Sequence, residues 1–168
     1  MAIALSHGGP NIYQTSALSK EVLVGTTKGV VTLERGEAGW REVRRSLPDE
    51  HIHAVLVEPA SGTIFAGTNG DGVFASTDGG KSWERRDAGI TERKIYSLAA
   101  SRSVNGKLRV FAGTEPAKLF TSDDLGKSWK ESPSLHEVPS VKEWTFPAPP
   151  HAAHLKNINF DPKDSRVV

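Results

Sequence analysis

Two stretches of this 168-residue chain, "STDGGKSW" (Ser76 to Trp83) and "SDDLGKSW" (Ser122 to Trp129), place a hydroxyl, a carboxylate, a glycine, a lysine and an indole at the same spacing. The shared Gly-Lys-Ser suggests a phosphate cradle, but that chemistry needs a glycine five residues earlier and a helix behind it. Ala75 and Thr121 stand at that position and no helical pattern follows, so the phosphate reading is rejected. Folding explains every residue type instead. In a tight hairpin an Asp carboxylate accepts backbone N–H groups across the turn, Ser caps it, Gly takes a positive φ, and Trp packs toward the next element. Ser76, Asp78, Gly80 and Trp83, with Ser122, Asp124, Gly126 and Trp129, therefore read as architectural, and neither Asp78 nor Asp124 as catalytic.

Other residues carry chemistry of their own. Asp71, Glu115 and Glu143 supply carboxylates, and glycoside hydrolysis needs two of them about 5 to 9.5 Å apart. Glu115, in "GTEPAK", is either an acid–base group or the ion-pair partner of Lys118. His151 and His154 have the i, i+3 spacing of a helical metal pair, but "PAPPHAAH" is broken by proline. Zinc would also need a third ligand, for which Glu143, His51 and His136 are the available groups. No cysteine is present, which excludes disulfides, thiolate metal clusters and thiol nucleophiles. No cofactor is expected.

The elements that must position these groups come from an internal repeat. "VLVGTTKGVVTLERGEAGWREV", "IFAGTNGDGVFASTDGGKSWERR" and "VFAGTEPAKLFTSDDLGKSWKES" align on a Gly-Thr pair and on a tryptophan. Gly25, Gly67 and Gly113 are 42 and 46 residues apart, and Trp40, Trp83 and Trp129 are 43 and 46 apart. Such spacings match four-stranded propeller blades. "HAVLVEP", "YSLAASR" and "NINFDP" read as the first strand of successive units, by their alternation of apolar and polar residues. In the second unit the strands are expected at 54–57, 63–67, 72–76 and 82–86, the last a charged outer edge. The expected fold is all-β: a β-propeller of four-stranded antiparallel blades, with three blades and the first strand of a fourth. Blade 1 is expected over 11–46, blade 2 over 52–88, blade 3 over 95–133, a loop insertion over 134–153 and the start of blade 4 over 154–168. Because a propeller closes on itself, the three blades are expected to be part of a longer propeller or of a half-ring completed by a second subunit.

S-x-D-x-G-x-x-W, matched at Ser76, Asp78, Gly80 and Trp83 and again at Ser122, Asp124, Gly126 and Trp129, resembles the Asp-box of BNR-repeat β-propellers. That group includes sialidases, sortilin-type receptors and photosystem II assembly factors. The longer pattern, "GTEPAKLFTSDDLGKSW" followed by "EWTFPAPPHAAHLKNINFDP", is similar to bacterial propellers labelled glycosyl hydrolase, BNR repeat. The resemblance runs from about Asn11 to the C-terminus. The first copy departs from it, with Leu33 and Arg35 where Ser and Asp belong. Sialidase-type catalysis implies an arginine cluster, a tyrosine nucleophile and an acid pair. Tyr13 and Tyr96 are the only tyrosines, both on expected strands, and no arginine motif of that kind precedes the first blade.

Strand parity puts the Asp-box turns on one face and the remaining connections on the other. The second face then collects Lys28, Asn69, Asp71 and Glu115 from turns, with His51 and Arg93 from the connections between units and His7 ahead of the first. It also receives the insertion, seen as a 60-residue step from Leu98 to Ile158 against 43 from Val55 to Leu98. The insertion concentrates Trp144, Phe146, His151 and His154, and is either a binding surface or a cover over a blade end. The ligand- or partner-binding candidates are thus Lys28, His51, Arg93, Glu115, Trp144, Phe146, His151 and His154. The expected function is a non-catalytic binding or assembly scaffold for a protein or carbohydrate ligand. The competing expectation is a carbohydrate-active hydrolase on the same face, followed by a divalent-metal site at His151 and His154. A formal charge of +1 argues against a nucleic-acid or membrane-surface partner, and the absence of a signal-like leader or spanning segment gives a cytoplasmic expectation.

Overall fold

The repeated Gly-Thr pair explains how the sheets stack. The computed structural model describes residues 3–5, 19–102 and 106–160. They form three four-stranded sheets. The first contains β1 (Ile3–Leu5), β2 (Glu21–Thr26), β3 (Gly29–Gly36) and β4 (Gly39–Ser46). The second contains β5 (Ile52–Val57), β6 (Ile64–Thr68), β7 (Val73–Ser76) and β8 (Glu84–Arg85). The third contains β9 (Lys94–Arg102), β10 (Leu108–Glu115), β11 (Leu119–Ser122) and β12 (Lys130–Glu131). Neighbouring strands are antiparallel, except that β1 runs parallel to β2 with Ile3 opposite Val22. His7, the start of the expected first blade at Asn11, and residues 161–168 lie outside the described residues. Among the described residues no helix is long and apolar enough to cross a membrane.

The second sheet is sandwiched. Leu23 and Val30 of the first sheet meet Ile52, Val55, Val57, Ile64 and Ala66. Ala54, Leu56, Phe65, Val73 and Ala75 face the other way, toward Ile95, Leu98, Val110, Ala112 and Phe120 of the third. Every residue of β5 and β6 is consequently buried, in place of the apolar–polar alternation expected of "HAVLVEP". A strand covered on both faces reads as a continuous apolar run. An irregularity between Ile52 and Ala54 resets which side chains face which neighbour. Phe65, with no exposed surface, contributes roughly 2 to 3 kcal/mol of apolar burial.

Gly25 and Gly67 lie beneath the first strand of the following sheet, β5 and β9, and Gly113 beneath the strandless segment at Leu155. A Cβ built on Gly25 would lie 3.0 Å from Ile52 Cγ2, one on Gly67 2.6 Å from Ile95 Cγ2, and one on Gly113 2.9 Å from Leu155 Cβ. Each threonine caps the turn that follows: Thr26 Oγ1 donates to Gly29 O, Thr68 Oγ1 to Gly72 O, and Thr114 Oγ1 to Pro116 O. The same oxygens accept from the backbone N–H of Lys28, Asp71 and Lys118.

Two expectations are corrected. The described part of "NINFDP", 157–160, carries no strand. It continues a segment laid over the third sheet through Leu155, whose N–H donates to Thr114 O and whose carbonyl accepts from Ser97 Oγ. Trp40 is not equivalent to Trp83 and Trp129. With Leu33 and Arg35 in place of Ser and Asp, β3 and β4 close through a Gly36–Gly39 hairpin and Trp40 stays 48% exposed opposite Arg35.

Candidate functional site

The two Ser-x-Asp hairpins sit at one end of the strands. Asp78 accepts from the N–H groups of Lys81 and Ser82 and from Ser82 Oγ, while Ser76 Oγ bridges Asp78 and the Gly80 N–H. Asp124, Ser128, Ser122 and Gly126 repeat the pattern. These donors stabilise the ionised carboxyls: Asp78 is held well below the usual carboxylate range, by Ser82 first, and Asp124 is lowered to about 2, by Ser128 first. Both carboxyls are thus engaged within their own turns.

The other end of the strands gathers a different set. His51 directly precedes Ile52, Lys94 precedes Ile95 and His154 precedes Leu155, so the three occupy one position in successive units. His53 and Tyr96 follow on β5 and β9. The rings form an unbroken chain: His51 to His53 at 4.6 Å, His53 to Tyr96 at 4.5 Å, Tyr96 to His154 stacked at 4.2 Å, and His154 to Phe146 at 4.5 Å. At one end His51 is exposed, and at the other Phe146 is 39% exposed.

Glu115, at the end of β10, lies beneath this chain with only 8% of its side chain exposed. Lys94 Nζ donates to Oε1 at 2.9 Å, and His154 Nδ1 lies 3.6 Å from Oε2 without a hydrogen bond. Tyr96 supplies a further hydrogen bond. Lys94 is the main reason the Glu115 carboxyl stays below its ordinary value despite burial, which acts in the opposite direction; Tyr96 and the charges of Lys94 and His154 add to it. Burial, then Glu115, pushes the Tyr96 phenol up. The arrangement holds a buried, ionised carboxylate beneath a run of rings that includes the neutral Tyr96 phenol.

Of the expected residues, the structure joins His51, Glu115, Phe146 and His154. It leaves the others elsewhere. Glu115 pairs with Lys94 and not with Lys118, whose partners are Glu92 and Glu131, because Lys94 on the adjacent strand faces Glu115 in register. Asp71 pairs with Arg85 and acts on Glu50, and neither it nor the exposed Glu143 is among the groups acting on Glu115. Trp144 turns back locally to donate to Ser140 Oγ at 3.2 Å. His151 Nδ1 contacts Phe146 O at 3.0 Å, within a turn bridged by Thr145 and Ala152. Lys28 and Arg93 are exposed, and their carbonyls accept from Arg45 and from the Gly72 N–H. Among the described residues no group of three His, Cys, Asp or Glu is placed to hold a metal ion. Lys94, His53 and Tyr96 were not singled out from the sequence. The alignment of Val55, Leu98 and Ile158 contained the signal, since it already sets His51, Lys94 and His154 in one column.

The sequence matches no protein-family model and no curated protein.

Proposed function

We propose that this chain is an arc of an Asp-box β-propeller that acts as a non-catalytic binding scaffold. Its ligand is a protein or carbohydrate surface received at the exposed ends of the ledge of rings, His51 and Phe146, with His53, Tyr96 and His154 packed between them. The observation that carries this reading is the unbroken run of ring contacts across consecutive units, ending on a half-exposed phenylalanine. A soluble domain gains little stability from a ring left in water, whereas aromatic faces with a polar group beside them are what binding sites use. Supporting the propeller are the repeated hairpins and the glycines beneath β5 and β9. The test is a glycan array and a displayed peptide library probed with the wild-type chain and with a His51→Ala, Phe146→Ala double variant. A ligand held by the wild type and lost by the variant at an unchanged melting temperature is expected. Retention by the variant overturns the reading.

A second reading, glycoside hydrolysis at the same end, is favoured by the Tyr96–Glu115 hydrogen bond, since some glycosidases use a tyrosine nucleophile. Turnover of chromogenic glycosides, abolished in Glu115→Gln, would establish it, and no turnover across the panel would remove it.

A further inference from the structure

The interface between the first and second sheets and that between the second and third are built from the same positions; at three of them the first carries the smaller residue, and at Val57 and Ile64 the larger, against Ala100 and Val110. Counting from Gly25, Gly67 and Gly113, Leu23 stands where Phe65 stands one unit on, and Gly62 where Leu108 stands. Counting from the Ser-x-Asp turns, Gly79 stands where Leu125 stands. In the second interface Phe65 reaches the turn: a Cβ on Gly126 would lie 3.0 Å from Phe65 Cε1, and Leu125 packs on the same core. Leu125 does so at φ 60°, in the left-handed region that favours glycine.

The first interface has no such plug. A Cβ on Gly62 or on Gly79 would meet nothing within 4 Å. What remains is an open cleft of about 270 Å³, lined by Leu23, Val57, Pro59, Ile64 and Thr32, with Glu21 as its one charged lining residue. Glu21 is exposed and has no ion-pair partner among the described residues. The Arg44 guanidinium, held by Gly79 O at 2.7 Å, is the competing charge at the cleft.

We propose that this cleft binds a small aromatic ring carrying an ammonium group, an arylalkylamine. The ring takes the place that Phe65 fills one interface further on, and the ammonium meets the Glu21 carboxylate. The cleft lies at the hairpin end of the strands, so the proposal stands independently of the function proposed for the ledge.

Phenethylamine, 2-phenylethanol and 3-phenylpropionate titrated into the full chain, with the methyl resonances of Leu23, Val57 and Ile64 followed by NMR, test it. Phenethylamine is expected to shift these methyls, 2-phenylethanol to bind about three-fold more weakly, and 3-phenylpropionate more weakly still, as suits one exposed charge pair. Glu21→Gln removes the difference between amine and alcohol. Leu23→Phe abolishes binding of all three while raising the melting temperature. Should that variant fail to fold, Leu23→Met is expected to weaken every ring compound. Unshifted methyls with all three compounds, a preference for the carboxylate, or undiminished binding in the folded Leu23 variant would each overturn the proposal.

Discussion

Leu155 lies against Gly113 as Ile95 lies against Gly67: a Cβ added to Gly113 would sit 2.7 Å from Leu155 O and 2.9 Å from Leu155 Cβ. This contact returns the chain, after the insertion, to the position that the first two units occupy without one. It also delivers His154 onto Tyr96 and beside Glu115.

Gly113→Ala and Gly67→Ala are expected to lower stability by about 2 to 3 kcal/mol each, since Ser97 and Leu155 in the first case and Ile95 in the second must shift to admit the methyl group. Gly25→Ala, where the nearest atom is 3.0 Å away on the Ile52 side chain, should cost less than about 1 kcal/mol. Urea unfolding of the three variants gives the order directly.

Replacing Lys94 by Met removes the largest cause of the low Glu115 pKa and leaves a buried carboxylate with less compensation. Glu115 is lowered in the folded chain, so its contribution is present above the ordinary glutamate value and lost as pH falls through the folded one. In Lys94→Met that contribution disappears. The variant is expected to be about 1 to 3 kcal/mol less stable at pH 7, with the gap narrowing toward pH 4 as Glu115 takes up a proton. Thermal melts of both proteins between pH 4 and 8 check the sign.

Asp124, lowered to about 2 by Ser128 and its backbone, stabilises the fold above about pH 4 and loses that effect as pH falls toward 2. Asp124→Asn should cost roughly 1 kcal/mol at pH 7 and flatten the acid limb of the stability curve over that range. A wild-type acid limb kept unchanged in the variant would contradict this.

Trp129 and Trp83 share a motif but should not share an energy. Trp129 Nε1 donates to both Gly126 O and Arg86 O, and the residue is 4% exposed, whereas the partly exposed Trp83 donates only to Gly80 O at 3.2 Å. Trp129→Phe is expected to cost roughly 2 to 4 kcal/mol and Trp83→Phe about 1 kcal/mol. Denaturation midpoints of the two variants compare them.

The sequence by itself determined the all-β class, the three-fold recurrence of strands and the turns closed by Ser-x-Asp. Those rest on local rules: turn residues, strand-length apolar runs and a repeat whose period survives without any tertiary contact. It also contained the register that sets His51, Lys94 and His154 in one column. Tertiary structure alone decided which side chains meet. Glu115 takes Lys94 in place of Lys118 because β9 lies beside β10, and Tyr96 becomes part of a ring chain only when consecutive sheets stack. Trp144 turns to Ser140, and the His151 ring meets the backbone of Phe146, because the insertion folds on itself before it returns at Leu155. Contacts across sheets depend on packing distances that no spacing along the chain encodes.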